Sequence, residues 1–328
     1  MSFSWKNRNV FVTGSTGLLG SWLTEELIAR NANVTCLIRD TVPKSRLVQS
    51  GAIDKVNIVR GGLEEYDVVL RAINEYEIDT VFHLAAQTIV GTASRSVLST
   101  FEANIKGTWN LLEACRVCER LVHRVVMASS DKAYGDHEKL PYSEDEPLNG
   151  RYPYDASKAC SEILAFSYAE SFKLPVATTR CGNLYGGGDL NYSRIVPGTI
   201  RSLLLGEKPI VRSDGKLIRD YFYVEDAVNA YLHLAEKIEE LDLGGQAFNF
   251  GTSTPKNVLE MVALILAAGG RTDLEPVILD QASNEIRAQY LDCTKASEVL
   301  GWKPLFSMEE ALEKTVAWYR EHEASSLL

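Results

Sequence analysis

The chain has 328 residues, enough for two domains or for one large domain with a subdomain. Its 45% hydrophobic and 24% charged residues are ordinary for a folded globular protein and exclude disorder or low-complexity sequence as its main character. A formal net charge of −10 argues against nucleic acid or an anionic membrane as principal partner, while a few local arginines can still hold a small anion.

In chain order, the opening MSFSWKNRNVFVTG has no apolar core before a cleavage site, and no run approaches the ~18 apolar residues of a membrane helix. Short apolar runs at 10–13, 34–38, 56–59, 80–83, 125–128 and 176–179 read as strands. Helical patterns at 18–30, 65–76, 97–118 and 154–172 lie among them. Val- and Ile-rich strands alternating with amphipathic helices predict an α/β chain, a Rossmann-type doubly wound parallel sheet covered on both faces. Residues 1–185 are assigned to this dinucleotide-binding domain. The rhythm changes near Gly186. Helices at 195–205, 224–238, 257–268 and 308–322, with strands at 247–251 and 276–279, predict a smaller C-terminal α/β substrate-binding domain over 186–328. Residues 224–251 are expected to return to the main sheet. Six cysteines at irregular spacing suggest reduced thiols and a cytoplasmic protein. Cys115 and Cys118 form a C-x-x-C, but within LLEACRVCERL, which reads as helix. His83, His123, His137, His233 and His322 show no metal-ligand spacing, so no metal is expected.

VFVTGSTGLLGSWL places Gly14, Gly17 and Gly20 in G-x-x-G-x-x-G, between a strand and a helix. Glycine permits the tight turn and the close approach of a pyrophosphate, and the helix N-terminus supplies N–H groups and partial positive charge. This is a dinucleotide loop. The end of the second strand bears on which dinucleotide binds. Ile38 stands where an acid would take the ribose 2′-hydroxyl of NAD, and Arg39, Lys44 and Arg46 follow, which favours the 2′-phosphate of NADP. Asp40 is the counter-evidence, since it can itself reach the ribose and select NAD. Further along, Tyr154 and Lys158 form Y-x-x-x-K on a helical pattern. Residues four apart share a face, and an ammonium beside a phenol lowers the phenol pKa, so Tyr154 can act as a base.

Together with Ser130 at a strand end, these residues resemble the extended short-chain dehydrogenase/reductase family. The resemblance runs through TGSTGLLG, HLAAQ, SSDKAYG, YDASK, GNLYGGGD, RDYFYVED and LGWKP, nearly the whole chain. It implies cofactor contacts from Gly14, Thr16, Gly17, Leu18, Gly20, Arg39, Leu63, Ala85, Tyr154 and Lys158. Ser130-Asp131-Lys132 is similar to the nucleotide-sugar 4,6-dehydratase group and, in its lysine, to the CDP-glucose branch. In that group Tyr154 takes the 4-hydroxyl proton with Ser130 assisting, Lys132 removes the C5 hydrogen, and a protonated Asp131 releases the 6-hydroxyl. Such an acid needs burial or a donor role to keep its proton. The resemblance further implies that Asn183 and Arg219, with Arg212 and Arg287, bind the diphosphate of a nucleotide-diphosphate sugar. It also implies a homodimer through the helices bearing Asn104 and Tyr154. Two departures stand out: Asp220-Tyr221 replaces the Pro-Trp common in the CDP-glucose branch, and Gly61-Gly62-Leu63 lacks the Asp that usually touches adenine. A sugar-nucleotide epimerase on the same scaffold is the alternative; the discriminating feature is Asp131-Lys132, which simple 4-epimerisation does not need. A non-catalytic NADP-sensing protein is the third reading; degenerate sensors lose the Tyr or the Lys, and this chain keeps both.

Overall fold

In a computed structural model that describes residues 3–281 and 286–323, seven strands form the central sheet. They are β1 (Asn9–Thr13), β2 (Asn33–Ile38), β3 (Asn57–Arg60), β4 (Thr80–His83), β5 (Arg124–Ala128), β6 (Val176–Cys181) and β7 (Ala247–Phe250). Residues 1–2 of the first predicted domain range, and 282–285 and 324–328 of the second, lie outside the described residues. The strand order is β7-β6-β5-β4-β1-β2-β3 and every neighbouring pair is parallel. This is a Rossmann-like doubly wound sheet, and its order reverses between β1 and β4. In such sheets a ligand crevice opens at the carboxyl ends of the strands flanking that point.

Strand alternation divides the core. Val10 and Val12 of β1 pack with Leu23 and Leu27 of the helix Leu18–Ala29, on the layer that also holds the helix Val224–Lys237. Phe11, between them, joins Val69 and Ile73 of the helix Tyr66–Glu75 and Leu111 of the helix Gly107–Val117 on the opposite layer. The helix Pro153–Phe172 contributes Ala165 and Ala169 to that second layer. Helix and strand at 224–250 thus join the main sheet, with Phe248 pairing in register with Thr179.

Beyond β6 the chain builds a smaller unit. Helices Ile195–Leu205 and Val258–Ala268 meet around Leu203, Val262 and Leu266. The last helix, Met308–Glu323, sends Leu312, Val316 and Tyr319 into the first core layer, so the two parts share apolar contacts. Several elements differ from the sequence reading. The single helix expected over 97–118 is broken into Val97–Phe101, a π-helical turn at Glu102–Lys106 and Gly107–Val117. The strand expected over 276–279 is only Val277–Ile278. Short strands at Asn183–Tyr185, Ile218–Arg219, Tyr221–Tyr223 and Ala288–Gln289 have too few residues for any periodicity to register. Cys115 lies inside its helix and Cys118 caps it, both buried with free thiols. Among the described residues no helix is long and apolar enough to cross a membrane.

Candidate active site

The glycine loop occupies the reversal point. Gly14 follows β1 with φ +77°, and a Cβ there would stand 2.7 Å from the Ala85 nitrogen. A Cβ on Gly20 would stand 2.1 Å from the Gly14 carbonyl oxygen, so helix and loop are in backbone contact. Gly17 is the N-cap of the helix Leu18–Ala29 and has no side chain to occupy the first N–H groups. A Cβ built there would meet nothing nearer than the Gly14 oxygen at 3.3 Å, which leaves room for an approaching anion. Behind the loop, Thr13 Oγ1 meets His83 Nδ1 at 2.9 Å and accepts the backbone N–H groups of Leu84 and Ala85 at 3.2 Å. His83 Nε2 meets Thr108 Oγ1 at 3.0 Å, and burial drives the imidazole pKa down to about 3. This histidine is a neutral brace between β1 and β4.

A cavity of about 850 Å³ runs from this loop across the sheet ends. Its size is that of a cofactor or ligand cleft. Thirteen of the residues singled out in the sequence line it together with Asp131: Gly14, Thr16, Gly17, Leu18, Gly20, Arg39, Leu63, Ala85, Ser130, Lys132, Tyr154, Lys158 and Asn183. The loop without a side-chain cap, the β2 end and the Tyr154–Lys158 helix together fit a dinucleotide whose reactive end reaches Tyr154. Arg39 Nε is bonded to Asp40 Oδ2 at 2.7 Å, and both side chains face solvent as well as the cavity. Arg212 and Arg287 are exposed and do not line the cavity; Arg287 is bonded to Asp214 at 2.8 Å. Arg219 is buried beneath it, with Nη1 donating to the Ile218 carbonyl at 2.8 Å, and its charge pulls on Asp131. Arg194 does line the cavity, held by Asp189 at 3.0 Å. It stands one residue before the helix Ile195–Leu205, where no motif marks it.

Ser130 caps a short 3₁₀ turn, Asp131–Tyr134, and its hydroxyl accepts the Lys132 N–H at 3.2 Å. The same hydroxyl donates to Asp131 Oδ1 at 3.1 Å and acts to lower the phenol pKa of neighbouring Tyr154. Asp131 is 2% exposed; burial raises its carboxyl pKa against the opposing pull of Lys132, Ser130 and Arg219. Its Oδ2 has no hydrogen-bond partner among the described residues. Lys132 Nζ donates to Gln289 Oε1 at 2.6 Å.

Tyr154 is the second residue of the helix Pro153–Phe172, whose first-turn proline suits a helix start. Burial pushes its phenol up to about 12, opposed by Ser130 and by the Arg194 guanidinium. Lys158, one turn on, donates to the Ala128 carbonyl at 2.7 Å, and burial brings it down to about 8. The sequence reading expected the lysine to depress the phenol. In this geometry the ammonium is committed to a strand carbonyl, and the serine and Arg194 only oppose the rise that burial causes.

A buried network sits behind the turn. Arg180 of β6 pairs with Glu162 and donates to the Tyr134 hydroxyl at 2.7 Å, which donates to Asn249 Oδ1 at 2.7 Å. The π-helical turn places Asn104 so that it accepts the Gln87 N–H at 2.7 Å and donates to Ser157 at 2.9 Å. The helix that bears Tyr154 is thereby tied to the loop after β4.

Comparison with known proteins agrees with this architecture. Residues 10–251 match the NAD dependent epimerase/dehydratase family. The CDP-glucose 4,6-dehydratase of Salmonella typhimurium is 31% identical over 96% of this chain and 91% of its own. The crystal structure of a UDP-glucose 4-epimerase with UDP-glucose from Thermotoga maritima is 29% identical, covers 95% of this chain and 99% of its own, and has a TM-score of 0.86. A dTDP-glucose 4,6-dehydratase from Streptomyces venezuelae, solved with NAD bound, is 25% identical with a TM-score of 0.85, over 98% and 100% of the two chains. With a match of this length laid over a dinucleotide loop and a Ser-Tyr-Lys cluster, the chain belongs to the NAD dependent epimerase/dehydratase family, as an enzyme of its nucleotide-sugar dehydratase and epimerase group.

Proposed function

We propose that this enzyme is a nucleotide-sugar 4,6-dehydratase that converts a CDP-glucose-like NDP-hexose to the NDP-4-keto-6-deoxy sugar and water. The observation that carries the reading is the pair directly after Ser130: a buried Asp131 whose pKa is raised, next to Lys132 on the cavity wall. A 4-epimerase needs only the chemistry at C4. The pair has a use once C5 and C6 must also react.

When bound, the nicotinamide cofactor supplies the hydride acceptor for C4 and the donor for C6. The chain's own residues move the protons. Tyr154 takes the 4-hydroxyl proton in its phenolate form, which Ser130 and the Arg194 guanidinium favour against burial, and the resulting ketone acidifies C5–H. Lys132 takes the C5 proton while Asp131 protonates the departing 6-hydroxyl, which leaves as water. Lys132 returns its proton to C5 as C6 is reduced. Tyr154 then holds one proton too many and Asp131 one too few. Ser130, bonded to Asp131 and close enough to Tyr154 to act on its pKa, is the path proposed for that proton to pass back. Asn183 and Arg194, on the cavity wall, are assigned to the diphosphate, with the guanidinium fork matched to phosphate oxygens. Arg212, Arg219 and Arg287 lie outside the cavity lining, which argues for Arg194 over them.

We take the cofactor to be NAD rather than the NADP that Ile38 and Arg39 favour on sequence. Arg39 is already bonded to Asp40, the family is NAD dependent, and the S. venezuelae relative binds NAD. The functional unit is proposed to be a homodimer, with residues 186–328 outside 224–251 holding the substrate, in the cytoplasm, where the six free thiols would stay reduced.

The deciding experiment is incubation with CDP-, GDP-, UDP- and dTDP-glucose in deuterated water. A 4-keto product with solvent deuterium at C5 supports dehydration. A C4 epimer with no label at C5 sinks it and establishes the epimerase reading, which the similarity to the T. maritima enzyme favours.

A further inference from the structure

We propose that Gln289 is a positioning residue for the dehydration half of the reaction, holding the Lys132 amine and the turn that carries Asp131. The inference rests on the dehydratase reading above. Gln289 is fully buried, and its amide is bonded at both ends. Oε1 accepts from Lys132 Nζ at 2.6 Å, and Nε2 donates to the Asp131 carbonyl at 2.8 Å. One planar group therefore fixes both members of the acid–base pair relative to each other. An amide is well suited to this position. Its oxygen takes an N–H of Lys132 in either protonation state, and it carries no charge that would hold the lysine protonated. With one N–H directed to Gln289, the remaining valences of Nζ have fixed directions, which a base on a flexible four-carbon stem otherwise lacks.

The support for Gln289 is itself rigid. The short strand Ala288–Gln289 runs parallel to Ile218–Arg219, with Gln289 opposite Arg219. The Ile218 N–H donates to the Arg287 carbonyl at 3.0 Å on one side. On the other, the Tyr142 N–H donates to the Tyr290 carbonyl at 3.0 Å and the Asp292 N–H to the Tyr142 carbonyl at 2.9 Å. Asn249 Nδ2 adds a bond to the Asp292 carbonyl at 3.0 Å. Backbone bonds on both flanks are what a site needs when reacting groups must be placed within a fraction of an ångström. The geometry also assigns each half of the reaction to a different part of the chain. Tyr154 and Lys158 sit on a helix of the main sheet, while Lys132 is steadied from the C-terminal unit.

The experiment is a double-mutant cycle on the full-length enzyme with its cofactor, using Gln289→Met, which keeps the length without the amide, and Lys132→Met. Three quantities are read: reduced nicotinamide by its near-ultraviolet absorbance, deuterium entering C5, and 4-keto-6-deoxy product. Gln289→Met is expected to lower product formation and C5 exchange by about 10- to 100-fold, within the span of general acid–base contributions. Hydride transfer from C4 persists, so reduced cofactor accumulates. In the Lys132→Met background the same change is expected to add less than about two-fold, because residues in one network are not additive. Should Gln289→Met slow C4 oxidation and dehydration equally, or add in full to Lys132→Met, Gln289 is packing only and the proposal is overturned. If the methionine variant does not fold, Gln289→Asn, which withdraws the amide by one methylene, is judged by the same split. A wild type that forms no dehydrated product from any NDP-hexose overturns the dehydratase reading itself, an outcome distinct from an active wild type that is indifferent to Gln289.

Discussion

Charge state decides what each residue around the turn after β5 can do. Asp131 carries a buried carboxyl with one unpartnered oxygen, an arrangement that favours the protonated form. Between the ordinary value of 3.8 and the raised one, the folded chain binds a proton that the unfolded chain has released. Stability therefore falls as pH rises through that window. Asp131→Asn removes the ionisation and is expected to raise neutral-pH stability by on the order of 1 kcal/mol, read as a higher Tm. The same variant should cut dehydration by roughly 10²–10⁴ while C4 oxidation continues. In the wild type, dehydration should fall as pH rises through the raised Asp131 pKa, because the acid form is the donor. Tyr154→Phe behaves differently: C4 oxidation itself is lost and cofactor binding stays close to wild type. Retention of more than a tenth of wild-type turnover would remove Tyr154 from its role. At the cofactor's ribose, calorimetry should show tighter binding of NAD than NADP, and Arg39→Ala should weaken the two by similar factors. A selective loss of NADP would restore the sequence-based preference.

Among the elements, the glycine loop and the buried network behind the turn matter most. The three loop glycines are not equivalent. A Cβ at position 20 meets a backbone oxygen at 2.1 Å that cannot step aside, whereas one at 17 meets its nearest atom at 3.3 Å. Gly20→Ala is expected to abolish cofactor binding and lower Tm, and Gly17→Ala to fold normally with weakened cofactor binding, as measured by titration and thermal melting. Tyr134→Phe strips the shared partner from Arg180 and Asn249, both buried. A loss of about 1–3 kcal/mol in denaturant unfolding is expected for the polar atoms left unmatched. The six main strands of the first half, the glycine loop and the Y-x-x-x-K helix were legible because apolar runs and glycine spacing are local signals. The breaks in the helix over 97–118 were not, because a π-helical turn answers to Asn104 reaching Gln87 and Ser157, partners distant in sequence.

For the whole molecule, the helices Gly107–Val117 and Pro153–Phe172 pack together and still present Trp109, Ile163 and Phe166 about half exposed. Neighbouring Leu98 is 74% exposed. Apolar side chains gathered on adjacent helices mark a surface that gains by being covered. The proposed dimer uses this face, and Phe166→Glu should shift the protein to monomer in sedimentation experiments while its fold, by circular dichroism, is kept. A variant that remains dimeric would move the interface elsewhere.

Local sequence was enough to specify the sheet class, the dinucleotide loop and the Tyr154–Lys158 spacing, because each is written along a single element or its end; Ser130 and the Asp131-Lys132 pair were legible only through resemblance to a family. Which arginine meets the cavity was settled only in three dimensions. The family resemblance implies Arg219, with Arg212 and Arg287, as phosphate ligands; Arg219 is buried outside the cavity lining and the other two are exposed, while Arg194, bonded to Asp189, lines it. The fold likewise bonds Lys158 to the Ala128 carbonyl, ties Arg39 to Asp40, and brings Gln289 to Lys132 across 157 residues of chain. The physical reason is the same each time. A side chain's charge and direction are settled by burial and by partners brought from elsewhere in the chain, and neither leaves a periodic trace in the sequence.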